Sequence, residues 1–235
     1  MKRSIAIILL AGVFAASNSC TFIRINKDVF EGSGSERVIG SKDLVTRTYS
    51  VPQFTGISDL ISADVVYHMT DGEPSVTVEA PDNFIDKLNF QVKDGVLMIR
   101  FDDNKNYSMG KITVNASSAT LESLTISGAG DFDCADLACT GMDVNVNGTG
   151  DVTFGSIRCE GDVRVSVRGA GDIGLNGLSC SKVSVDIMGV GDARLVGTAE
   201  SASLSIKGAG DIDATRLDCP DISSSVAGVG SIKRK

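Results

Sequence analysis

Five aspartates and four cysteines recur along the second half of this 235-residue chain at a nearly constant interval, and either set could hold a cation. Asp131, Asp151, Asp172, Asp192 and Asp211 each close a Gly-x-Gly-Asp phrase, with a degraded copy at Gly228-Val229-Gly230-Ser231. Rows of carboxylates offer the hard oxygen ligands that calcium takes in flexible geometry. Calcium-binding β-rolls, however, repeat every nine or so residues and use two aspartate-bearing turns per site, whereas the first glycines here are 20, 21, 20, 19 and 20 residues apart. In the other reading each carboxylate accepts amide hydrogens of its own turn. Cys139, Cys159, Cys180 and Cys219 share one column, with Ala199 in the gap. They read as buried thiols acting as small hydrophobes; the alternative is disulfides between neighbouring turns, which export would permit. Zinc is disfavoured because no C-x-x-C pair occurs and His68, the single histidine, lies elsewhere. Without a serine or cysteine motif around His68, a catalytic triad is not expected. Neither catalytic residues, metal nor cofactor is therefore assigned.

The element that must position these residues is a solenoid. Around Gly148 the apolar residues fall at Val144, Val146, Val152, Phe154, Ile157 and Cys159. Adding 21 gives Val165, Val167, Ile173, Leu175, Leu178 and Cys180; subtracting 20 gives Leu124, Ile126, Phe132, Cys134, Leu137 and Cys139. Alternation with period two marks half-buried strands, and the glycine pairs mark turns, so each repeat is three short strands forming one coil of a parallel β-helix. No coil can bury its apolar side alone, which is why the units stack. Leucine-rich repeats need an asparagine and spaced leucines that are absent, and a propeller blade needs about forty residues. The outward columns are short and polar: Thr125, Asn145, Ser166, Asp186 and Ser205 in one, Ser127, Asn147, Arg168, Met188 and Lys207 in the next. Asn145, Ser166, Asp186 and Ser205 are the candidate ligand-facing residues.

Residues 45–114 lack the glycine phrase but keep strand grammar, with turn dipeptides Asp71-Gly72 and Asp94-Gly95. They are expected to form irregular N-terminal coils or a strand-rich cap on the same solenoid, ahead of regular coils over 115–235. Near the C-terminus Ser224, Ser225 and the basic run Lys233-Arg234-Lys235 replace apolar residues, and charge there would blunt an exposed strand edge.

The N-terminus points to export. Lys2-Arg3, the apolar run Ile5 to Ala16 and the small polar stretch Ser17 to Ser19 have the layout of a secretory signal over residues 1–19. The run is too short to span a bilayer. Cys20 stands where a lipoprotein signal places the cysteine that becomes acylated; Ser17 stands where many such signals carry leucine. Residues 20–44, with Glu31-Gly32-Ser33-Gly34-Ser35-Glu36, read as a flexible tether. Loss of Lys2 and Arg3 would take the charge from 22 minus 30 to 20 minus 30, which disfavours nucleic acid and anionic lipid surfaces as partners.

The lipoprotein-like start, Phe54-x-x-Ile57, Val76-x-Val78-Glu79-Ala80, Val92-x-x-Gly95-x-Leu97-x-Ile99 and the glycine-aspartate coils resemble the auto-transporter adhesin, head GIN domain, family of Gram-negative envelope proteins. The resemblance runs from about Val45 to the end. It implies a right-handed parallel β-helix on the cell envelope, outer-membrane anchored, with an adhesin-like role and no catalytic or ligand residues to carry over. Expected partners are a cell-surface, matrix or glycan molecule and, in an assembly, a second copy of the chain. The functional expectation is a non-enzymatic lipoprotein acting by surface contact, against two alternatives: a structural protein packing through its coils, and a polysaccharide lyase-like enzyme. No outward aromatic platform supports the last of these.

Overall fold

The computed structural model describes residues 37–108 and 110–235; the expected signal peptide, Cys20 and the tether as far as residue 36 lie outside them. From Ser123 onward the chain is a parallel β-solenoid whose coils follow the predicted columns. Ser123–Ile126 runs parallel to Met142–Val146, with Leu124 opposite Val144 and Ile126 opposite Val146. Phe132–Cys139 runs parallel to Val152–Cys159, and Phe154 lies opposite Leu175, both fully buried. The outermost coil is Asp221–Val226 with Ile232–Arg234. Because side chains alternate across a strand, in-register stacking places every second residue in one continuous interior.

The glycine corner sets how closely coils stack. The carbonyl of Gly128 accepts the N–H of Thr149 (2.9 Å), that of Gly148 the N–H of Ala170 (3.0 Å), and that of Gly169 the N–H of Val190 (3.0 Å). A Cβ built on Gly169 would fall on the carbonyl of Gly148. Glycine stands there for room. At Gly210 a φ of +152° adds a conformational reason.

Residues 45–114 combine both expected forms, an irregular coil and a strand-rich cap, with two features that spacing alone did not give. First, the threading is out of sequence order. Gly56–Asp59 and Asp64–Met69 form a coil lying between Val96–Phe101 with Thr113–Ser118 on one side and Ser123–Ile126 with Phe132–Cys139 on the other. Ile57 is thus register partner of Leu124, and Val65 of Phe132, 67 residues later in each case. Second, antiparallel strands close this end. Leu44–Ser50 pairs with Ser75–Pro81, which pairs with Thr113–Ser118, while Leu88–Lys93 folds back on Val96–Phe101. The latter hairpin turns at Asp94-Gly95, with φ of 51° and 78°, as the dipeptide predicts. An end coil otherwise presents unpaired N–H and C=O groups, and these strands satisfy them. A short helix, Asp82–Ile85, buries Phe84 and Ile85 over the same end, Phe84 meeting Tyr107 edge-on at 5.0 Å. The expected tether also gives way before residue 44, because Arg37–Ile39 pairs with Asn106–Ser108 and Val38 packs on the core.

One interior column contains a charge-bearing group. Asp59 points inward between Ile99 and Ile126 and is 1% exposed. Its Oδ1 accepts the Ile61 N–H at 3.0 Å, while Oδ2 is buried without a partner. Burial pushes its carboxyl up from 3.8 to about 7, against the lowering effect of the Ile61 and Ala63 amides.

Two predictions follow from this packing. Gly169→Ala should lower stability in denaturant unfolding by at least the ~1–3 kcal/mol of an overpacked interior. For Asp59 the native state holds the extra proton between the ordinary and the raised value, so its contribution is complete below about pH 4 and lost as pH rises through 7. Asp59→Asn keeps the acceptor for Ile61 and should flatten this fall, gaining stability at pH 8 by up to about 4 kcal/mol; unchanged melting-temperature profiles between pH 4 and 8 would refute it.

Candidate functional site

Three columns bring chemistry-bearing residues together. The aspartates form a ladder, but not by bonding their own turns. Each carboxylate Oδ1 accepts the backbone N–H of the aspartate one coil on: Asp131 from Asp151 (2.9 Å), Asp151 from Asp172 (2.8 Å), Asp172 from Asp192 (2.8 Å) and Asp192 from Asp211 (2.7 Å). Asp211 ends the series by accepting from the amide and hydroxyl of Ser231, at 2.7 and 2.9 Å, and the hydroxyl above all holds its carboxyl below the ordinary range. The correction has a geometric reason: stacking aims the side chain along the solenoid axis toward the next amide. Asp64, whose Oδ1 accepts from the Asp131 amide at 3.3 Å, starts the ladder. Sequence reasoning missed it because its offset is 67 residues rather than 20. The signal was present, since Ile57 precedes Val65 by the same eight residues that separate Leu124 from Phe132. One oxygen of each ladder carboxylate is committed to an amide. Among the described residues, no group of three or more His, Cys, Asp or Glu converges on a metal position.

The cysteine column is where the repeat places it. Cys139 is the register partner of Cys159, and Cys180 that of Ala199. Cys134, Cys139, Cys159, Cys180 and Cys219 are free thiols. Burial pushes Cys134, Cys139 and Cys180 up to about 12, so these are protonated and unreactive as nucleophiles at neutral pH. His68 is exposed on Asp64–Met69, beside Ser117 of the neighbouring strand.

The predicted ligand-facing residues stack as one outward column. Asn145 pairs with Ser166, Ser166 with Asp186 and Asp186 with Ser205, all half-buried. Their neighbours are charged. Arg164 reaches Asp162 at 2.6 Å and Asp143 at 3.8 Å, and Lys207 reaches Asp186 Oδ2 at 3.2 Å. Asn145, Ser166 and Asp186, with Asp143, Arg164 and Arg168, line a shallow groove of about 310 Å³. Ser166 Oγ and Asp186 Oδ1, on adjacent coils, are buried there without a hydrogen-bond partner. The flanking cations were visible in the sequence; the orphaned oxygens were not, because they depend on how long neighbours fold over short side chains.

The ladder generates a measurable contrast. Asp172→Ala removes the acceptor of the Asp192 amide and should destabilise by about 0.5–1.5 kcal/mol. Asp172→Asn keeps an acceptor and relieves like-charge repulsion, so its unfolding midpoint should match or exceed wild type, most visibly at low salt. Equal losses in both variants would show that the acceptor is not what counts.

Comparison with known proteins places the fold. A putative adhesin from Bacteroides fragilis NCTC 9343 is 26% identical, with a TM-score of 0.70, and the match covers 84% of this chain and 100% of that one. A protein titled a putative lipid binding protein, from Parabacteroides distasonis ATCC 8503, shares the fold at 21% identity and TM-score 0.70, over 85% of this chain and 100% of its own. No curated protein matches. The model of the family described as "Putative auto-transporter adhesin, head GIN domain" matches residues 53–177 and again 154–234. With nearly the whole solenoid accounted for by those two matches, the chain belongs to that family.

Proposed function

We propose that this protein is an exported, non-enzymatic cell-envelope lipoprotein, acylated at Cys20, that binds a hydroxyl-rich partner through the column Asn145, Ser166, Asp186 and Ser205. The observation that carries the binding reading is the adjacent pair of buried, unpartnered oxygens, Ser166 Oγ and Asp186 Oδ1. Buried polar atoms are nearly always paired, so a site that leaves two open on neighbouring coils is primed for a ligand that supplies donors and acceptors. Glycan hydroxyls do both, and Arg164 and Arg168 would extend recognition to acidic sugars through planar, multidentate donors. The adhesin description of the family and of the B. fragilis neighbour agrees with surface contact rather than turnover. The charged N-terminal pair, the short apolar run and the placement of Cys20 support export and anchoring. No helix among the described residues is long and apolar enough to cross a membrane.

A glycan and matrix-protein array, probed with the chain lacking residues 1–19, tests the binding reading. Hits are expected with wild type and should be lost in Ser166→Ala/Asp186→Asn, whose fold can be verified by circular dichroism. An array without hits, or hits that the double variant retains, would overturn it. Metabolic labelling with a fatty-acid analogue, abolished in Cys20→Ala, separately tests the anchor.

A further inference from the structure

Both ends of the solenoid present open strand edges. On one sheet the terminal strands are Leu88–Lys93 and Asp221–Val226, on the other Leu44–Ser50 and Ile232–Arg234, and among the described residues each pairs on one side only. Such edges are templates for another chain. They are also apolar. Of the eight large hydrophobic side chains exposed among the described residues, Ile39, Leu44 and Val45 lie at one end and Val226 and Val229 at the other, so the ends are where most apolar surface is left uncovered. Strand direction decides what could cover it. Leu44–Ser50 is antiparallel to Ser75–Pro81, which is antiparallel to Thr113–Ser118, so Leu44–Ser50 runs in the same direction as the coil strands that end in Ile232–Arg234. Counted outward from the coil of Gly56–Asp59 and Asp64–Met69, it also lies one strand beyond Leu88–Lys93. A second copy placed along the axis would therefore set its Leu44–Ser50 beside Ile232–Arg234 as one more parallel rung.

One arginine on each of these two strands stands in the way. Arg234 is the register partner of buried Ala214, and Arg47 lies opposite buried Val78, so each occupies an inward column. Arg234 Nη1 donates to the Ile222 carbonyl across the last coil at 2.9 Å, and Arg47 Nη1 meets Asp86 Oδ1, just past the helix Asp82–Ile85, at 2.7 Å. An added rung would carry both guanidinium groups, of like charge, into the interior between the copies, where a charge without its own partner is strongly unfavourable. Charge pointing inward is one of the devices that blunt a sheet edge. We infer that Arg47 and Arg234 are a matched pair of stops that hold this chain monomeric by keeping a second copy from adding head to tail. The lysine beside Arg234 is not part of the device, because Lys233 is the register partner of Asp213 on the outward face.

Sedimentation equilibrium of the chain lacking residues 1–19, kept reduced, tests the stops. Wild type, Arg47→Val and Arg234→Val should each keep the monomer mass, because every joint they can form still contains an arginine. The double variant Arg47→Val/Arg234→Val should grow in mass with concentration and not halt at a dimer, since a head-to-tail contact does not close on itself. An equimolar mixture of the two single variants offers one joint free of arginine, and its mass should double and stop there. Lys233→Ala/Lys235→Ala should stay monomeric. Should a valine variant lose its strand signal in circular dichroism, threonine at the same positions, uncharged and favourable in strands, decides by the same readout. A wild type that already associates, a single variant that pairs with itself, a mixture that stays monomeric, or a double variant that is folded and monomeric would overturn the inference.

Discussion

The close approach of backbone to backbone at the Gly-x-Gly-Asp corner is the constraint on which the rest of the structure depends. There the carbonyl of one coil occupies the space a side chain of the next would need, and it accepts that coil's amide hydrogen. With rise and register fixed at one corner, pairing is held coil after coil, shifting only in the strands away from the corner at Leu175–Leu178 and Arg194–Val196, and a one-residue slip elsewhere would turn Val144 or Phe154 to water. The interior columns, the aspartate ladder, the cysteine column and the outward polar face are all consequences of one repeated contact.

Such stacking sets like residues against like, and the chain resolves the conflict differently in each column. Apolar columns gain, since Val144, Val165, Val185 and Leu204 bury one another. The aspartates would repel, yet each carboxylate is drawn toward an amide, so repulsion is offset by a charge-assisted hydrogen bond at every step. The two acidic devices respond to pH in opposite directions. Asp211 contributes when ionised and loses that contribution as pH falls, whereas Asp59 is accommodated when protonated. Their combination favours mildly acidic conditions.

Much of this was legible in the sequence because a solenoid converts spacing into position. A period near 20 residues was enough to place Phe154 on Leu175, Cys139 beside Cys159 and Asn145 beside Ser166. The direction of the aspartate bonds was not legible, since strand alternation says which face a residue takes and nothing about its tilt along the stack. The antiparallel closure was hidden as well: Leu44–Ser50 and Ser75–Pro81 alternate like coil strands, and alternation carries no information on strand direction. Asp59 was not anticipated either, although it takes an inward place two residues after Ile57 on its strand.

The out-of-order coil bears on how the molecule assembles. Pairings from Ser123 onward join segments about 20 residues apart, whereas Gly56–Asp59 and Asp64–Met69 must wait for partners on both flanks, one set 67 residues downstream. Closing the longer loop costs about 1 kcal/mol more, and non-local contacts slow folding. A chain emerging amino-end first cannot complete this end until residue 139 is free, so during synthesis the coil of Gly56–Asp59 and Asp64–Met69 keeps one flank open until Ser123–Cys139 closes over it like a clasp.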